Sequence, residues 1–145
     1  MILLCSLTFC KMEGIRKVTV ENREIFVVDY SGCTESEMIK RASRLTETLI
    51  RENKKCLILS VFDDKSYATP QYMRHVEKLA KENIHFIGKM AMTGLSDTKK
   101  LLLKGFNFFL RKNYQAFDTE EAAIRYLLDE NTEETPSWFR NLNWP

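Results

Sequence analysis

The side chains able to do chemistry are few. Three aspartates, Asp29, Asp63 and Asp64, carry the oxygen ligands that a magnesium ion takes. The hydroxyls of Ser31, Ser66, Thr69, Thr93 and Ser96 suit a polar ligand, and Ser66 and Thr69 are the candidate phosphoacceptors. Magnesium-dependent phosphotransfer, however, needs paired carboxylates, an aspartate nucleophile and a nearby lysine. Here one isolated Asp29 precedes an irregular loop, and turn aspartates ordinarily cap and solvate. Cys5, Cys10, Cys33 and Cys56 form no CxxC pair, and His75 and His85 alone cannot complete a zinc site with them. Cys33 lies beside a predicted helix start, where a thiol gains acidity, although burial as a small apolar group is the commoner fate. Neither histidine has a serine or cysteine arranged as a triad, so both read as structural. The glycines at 14, 32, 88, 94 and 105 are too scattered for a phosphate-cradling GxGxxG or GxxxxGK[ST] turn. No catalytic residue, metal or cofactor is expected.

Composition sets the frame for these groups. The chain has 145 residues, 44% apolar and 29% charged, with 22 basic against 20 acidic side chains, which suits one soluble globular domain. A net charge of +2 gives no basic footprint for nucleic acid, and no run of about 18 apolar residues exists to span a membrane. Neither polymer is expected as a partner. The opening Met1 to Cys10 is apolar but lacks a basic n-region and a small-x-small cleavage site. It reads as a non-secretory leader, and translation from Met12 is an equally good reading of the start. The expected location is therefore the cytoplasm, with reduced thiols.

The elements that must position the candidate residues follow from periodicity. Val18 and Val20 alternate with polar neighbours, and Ile25 to Asp29 forms a second β run beyond Glu21-Asn22-Arg23, predicting a hairpin. Thr34-Glu35-Ser36-Glu37 is a capping box, and Met38, Ala42, Leu45 and Leu49 give the following helix one buried stripe. Cys56 to Phe62 is a continuous apolar run suited to a central parallel strand. Thr69-Pro70 opens a second helix, with Thr69 as N-cap and proline at the first helical position. Met90 to Thr93 is another strand, extending back towards Ile84 or not. Between Ser96 and Lys112, Lys100, Lys104, Asn107 and Arg111 form a polar stripe that survives only if the helix runs unbroken through Gly105. Tyr114 to Phe117 is a last strand, and Asp118-Thr119-Glu120-Glu121 reads as a second capping box before a final helix. This order predicts an α/β domain over 15–129, with a leader at 1–14 and a polar linker and aromatic tail at 130–145. An N-terminal hairpin is followed by βα repeats, giving a mostly parallel sheet of about five strands with about four helices.

Several of these segments resemble the STAS domains, specifically the small bacterial proteins grouped with SpoIIAA-like anti-sigma-factor antagonists. They are Val27-Val28-Asp29-Tyr30-Ser31-Gly32, Leu57-Ile58-Leu59-Ser60, Met90 to Ser96 leading into Lys99-Lys100, and Ala116-Phe117-Asp118-Thr119-Glu120-Glu121-Ala122-Ala123. The resemblance implies a non-enzymatic regulatory or binding domain. It also implies a switch by phosphorylation at the start of the second helix. The family's Asp-Ser pair would fall within Asp64 to Thr69, where neither Ser66 nor Thr69 directly follows an aspartate. Thr69 is physically the better placed, because an anion there would meet free amides and the positive end of the helix dipole. Its ordinary role is an N-cap.

Parallel α/β sheets gather ligands at the carboxyl ends of their strands, where Asp29, Ser31, Asp63, Asp64, Ser66, Thr69, Thr93 and Ser96 are expected to form a polar rim. Lys99, Lys100, Lys104, Arg111 and Lys112 read as a solvated basic face. Leu101, Leu102, Leu103, Phe106, Phe108, Phe109 and Leu110 cover more of the third helix than one sheet face can bury. A protein partner, a second copy, the C-terminal Trp138 and Trp144, a small hydrophobic ligand or the leader would each cover the excess. A regulatory module acting through protein contact is the first expectation, a carrier or sensor of a hydrophobic ligand the second, and a magnesium-dependent phosphotransfer domain the third.

Overall fold

The computed structural model describes residues 14–66 and 69–130, so the leader before Gly14 and the tail bearing Trp138 and Trp144 lie outside the described residues. Strands β1 (Ile15–Val20) and β2 (Arg23–Asp29) pair antiparallel through the two-residue turn Glu21-Asn22. Both turn residues have positive φ, 50° and 65°, the geometry whose twist matches a tight hairpin. Arg23 thus belongs to β2, which starts two residues before the expected Ile25. Helix α1 (Glu35–Glu52), strand β3 (Cys56–Val61), helix α2 (Pro70–Glu82), strand β4 (Ile87–Thr93), helix α3 (Asp97–Leu110), strand β5 (Gln115–Phe117) and helix α4 (Glu120–Leu128) follow. A short 3-10 turn, Ile84–Phe86, precedes β4.

The five strands lie side by side in chain order, with β2, β3, β4 and β5 parallel to one another. Strand order explains the layering. Right-handed crossovers that always advance in the same direction put every connecting helix on one face of the sheet. Accordingly Phe26, Val28 and Ile58 pack with Met38, Leu45 and Leu49 of α1, Tyr72 and Ala80 of α2, and Leu103 of α3. Helix α4 connects to no further strand and closes the other face, where Ala123 and Leu127 meet Ile25, Val27, Leu59 and Ala91. Strand β3 is buried on both faces, which is why it reads as a continuous apolar run.

The ends of the helices follow local rules with one exception. Thr34 and Glu37 form the reciprocal capping box, and the buried residues of α1 are Met38, Ala42, Leu45 and Leu49. Helix α3 runs through Gly105 without a break. At α4 the expected box is absent: Thr119 caps alone, accepting from the Ala122 amide, so the third helical position holds an alanine and no side chain reaches back. The far end of α4 is held by cations instead. Arg23 donates to the Leu128 carbonyl at 3.2 Å, and the buried Lys89 of β4 donates to the carbonyls of Tyr126 and Asp129. Positive charge at a helix C-terminus answers the exposed carbonyls and the dipole there.

Candidate functional site

Strand register aligns Asp29, Val61, Thr93 and Phe117 in one row at the carboxyl edge of the sheet. The pairing continues one residue further, with Tyr30 N–H on Val61 O at 2.8 Å and Phe62 N–H on Thr93 O at 2.9 Å. Just beyond, the rings of Tyr30 and Phe62 stack at 5.0 Å, and Tyr72 meets Tyr30 edge-on at 6.2 Å. This aromatic layer forms the floor under the loops. Burial pushes the phenols of both Tyr30 and Tyr72 up, which keeps them protonated.

Asp63 is the hub of the rim. One carboxylate oxygen accepts from the amides of Gly32 at 3.1 Å, Lys65 at 3.1 Å and Ser66 at 3.0 Å. The Gly32 amide, followed by the Lys65 and Ser66 amides and opposed by partial desolvation, holds the carboxyl below its ordinary value. The Asp63 carbonyl accepts from Ser66 Oγ at 3.0 Å and from Lys99 Nζ at 2.9 Å. Lys99 therefore ties the β4–α3 side of the rim to the β3–α2 loop, a role that its reading as a member of a solvated face misses. It lies three residues past the cap Ser96, and helical side chains lean towards the N-terminus, which aims it at the loops.

The expected site residues divide under this geometry. Ser66 is only 1% exposed, with its hydroxyl spent on Asp63, so it is not presented as a phosphoacceptor. Thr69 accepts from the Tyr72 amide at 3.1 Å and donates to a Glu35 carboxylate oxygen. A phosphoryl group there would meet that carboxylate, which opposes the dipole advantage expected of the position. Thr93 is buried, and its carbonyl accepts from the Phe62 amide. Asp29 folds back on the Ser31 amide at 2.9 Å, while Arg41 donates to the Asp29 carbonyl. Asp29, Ser31, Asp64 and Ser96 do lie on the exposed surface of the loops. Asp29, Asp63 and Asp64 do not assemble a cation site: among the described residues no group of three or more His, Cys, Asp or Glu is placed to hold a metal ion. Cys33 is buried, and desolvation raises its thiol pKa despite the opposing Arg41 charge, so it is not an activated nucleophile.

One hydroxyl–imidazole pair escaped the reading of the sequence. Ser43 Oγ and His75 Nε2 lie 3.0 Å apart, tying α1 to α2. Both sit within helices, where the neighbouring backbone amides are consumed by the helix ladder. The pair is a structural tie.

Beside the rim, the outer face of α3 is apolar. Leu101, Phe108 and Phe109 are 68%, 67% and 51% exposed, and Lys81 lies 5.0 Å from the Phe109 ring. Leu101, Gly105 and Phe108 fall at i, i+4 and i+7, making one stripe along the helix. Phe106 does not belong to it: it is half-buried, packs on Tyr114 at 6.3 Å and joins the main core. No helix among the described residues is long and apolar enough to cross a membrane. Comparison of the chain with protein-family models, curated proteins and solved structures finds no match.

Proposed function

We propose that the chain is a non-enzymatic, cytoplasmic binding module of STAS-like type that works through protein contact at the outer face of α3. The observation that carries this reading is the stripe of Leu101, Phe108 and Phe109, each more than half exposed on the outer side of the helix. With Leu102 it amounts to an exposed apolar patch on the order of 400 Å², within the range where the largest patch on a monomer is often functional. A standard interface covers about 800 Å² per partner, so the patch has the size of an interface centre rather than of a whole interface. Lys100 and Lys104 flank it, as a polar rim flanks the apolar anchors of an interface. The loop network supports the same reading. Its best-placed carboxylate is occupied by three amides, and its Ser66 and Thr69 hydroxyls are engaged, so the rim offers shape and hydrogen bonds rather than an activated group.

The test is paired affinity capture from a native lysate, with the wild-type chain and a Leu101→Lys/Phe108→Lys variant as baits. Both substitutions lie on exposed positions and should leave the fold intact. A protein retained at stoichiometric level by the wild type and lost by the variant supports the reading. Identical captures by the two baits, or turnover of a compound by the purified chain, would refute it.

A further inference from the structure

Between α1, α2 and α3 and the sheet lies a partly open pocket of about 120 Å³ whose wall is mostly apolar. We propose that it is a binding site for a small neutral lipophilic molecule of about the size of benzene or phenol. Native interiors leave few voids larger than a water, and a dry apolar cavity of roughly 150 Å³ is known to take up benzene or xenon.

The wall gives water little to hold. Thr46 donates back to the Ala42 carbonyl at 3.0 Å, and Asn83 donates to the Leu79 carbonyl at 3.0 Å. Lys99 directs its ammonium away to Asp63 and Ser66, and the hydroxyls of Tyr30 and Tyr72 share a hydrogen bond. Ser60, buried on β3, presents one hydroxyl to the same space. A buried water needs two to four polar partners, so a single hydroxyl selects a mostly apolar occupant carrying at most one hydrogen-bonding group. A charged occupant would be desolvated without a partner. Met73, Met90 and Met92 supply soft, adaptable wall on both the helix and sheet sides. Leu102 also lines the pocket and is 38% exposed, so the pocket reaches the surface at α3. This site is separate from the protein-contact reading, and either can fail without the other.

The intact chain labelled with ¹³C at the methionine methyl groups provides the test, with toluene as the probe. Toluene should shift the Met73, Met90 and Met92 signals and leave Met38, buried outside the cavity, in place. At ten times its dissociation constant it should also raise the melting temperature by about 3–8 °C. Ala80→Leu, which fills the space, should weaken toluene binding at least tenfold, and Leu103→Ala, which enlarges it, should admit naphthalene. The enlarged variant keeps the test decisive if the filled one does not fold. No shift at the three lining methionines, an equal shift at Met38, or toluene binding unaltered by either variant would overturn the proposal.

Discussion

Gly94 and Gly105 can be changed to the same residue with opposite results. Gly94 ends β4 with φ +78°, and a Cβ built on it would lie 1.9 Å from the Phe62 carbonyl oxygen. Real Cβ contacts do not fall below 3.0 Å, so the β3 and β4 ends must part by at least 1.1 Å, the difference of the two distances. Left-handed backbone costs a non-glycine residue roughly 1–2 kcal/mol, and forced overpacking adds roughly 1–3 kcal/mol. Gly94→Ala should therefore destabilise by about 3 kcal/mol, and the same displacement should loosen the bond from Lys99 to Asp63. Gly105 stands in mid-helix with open space where a Cβ would go. There Gly105→Ala should stabilise by about 0.5–1 kcal/mol, through helix propensity and a less free unfolded chain. Urea unfolding of both variants measures the contrast, about 4 kcal/mol between them. A Gly94→Ala variant within 1 kcal/mol of wild type, or a destabilised Gly105→Ala, would refute the packing of the strand ends described here.

Other perturbations read other parts of the fold. Thr69→Ala removes the α2 cap and should cost about 1 kcal/mol in urea unfolding, with the amide of Tyr72 losing protection from hydrogen exchange. Leu127→Ala, at the fully buried centre of the α4 face, should cost about 2–5 kcal/mol by the same measurement. Asp63 and Glu37 both titrate below the ordinary carboxylate value in the folded chain, because amides and, at Glu37, the Thr34 cap favour the charged form. A depressed folded pKa means stability that is complete above the unfolded value, near 4, and is lost as pH falls through the folded one. Urea midpoints should therefore decline below about pH 4, and Asp63→Asn should flatten that decline. An unchanged acid slope in Asp63→Asn would remove Asp63 as its source.

The layers were legible because they rest on local periodicity. The stripe Met38, Ala42, Leu45 and Leu49, the double-sided run of β3 and the unbroken helix through Gly105 each follow from spacing within one segment. The last cap was misread by one position because Asp118 and Thr119 are both competent caps, and only backbone geometry chooses between them. The rim was poorly legible for a different reason. Asp63 meets Gly32 across 31 positions and Lys99 across 36, so the roles of Ser66 and Lys99 depend on which loops the register brings together. The same holds for Thr69, whose neighbour Glu35 comes from the start of another helix. Lys89 is buried in β4, where the carbonyls at the end of α4, distant in the chain, accept from its ammonium. The excess of apolar residues on α3 was visible, but which of them turn inward was not: Leu103 is buried and Phe106 packs on the core, while Leu101, Phe108 and Phe109 are each more than half exposed.

Hydroxyl-radical footprinting of the chain, alone and with its captured partner, reads side-chain exposure directly and bears most closely on α3 as the contact face. Leu101, Phe108 and Phe109 should oxidise readily in the free chain and become protected in the complex, with Ile50 on α1, itself 48% exposed, unchanged. Protection at Ile50 with the three α3 side chains still reactive would contradict the assignment of that face.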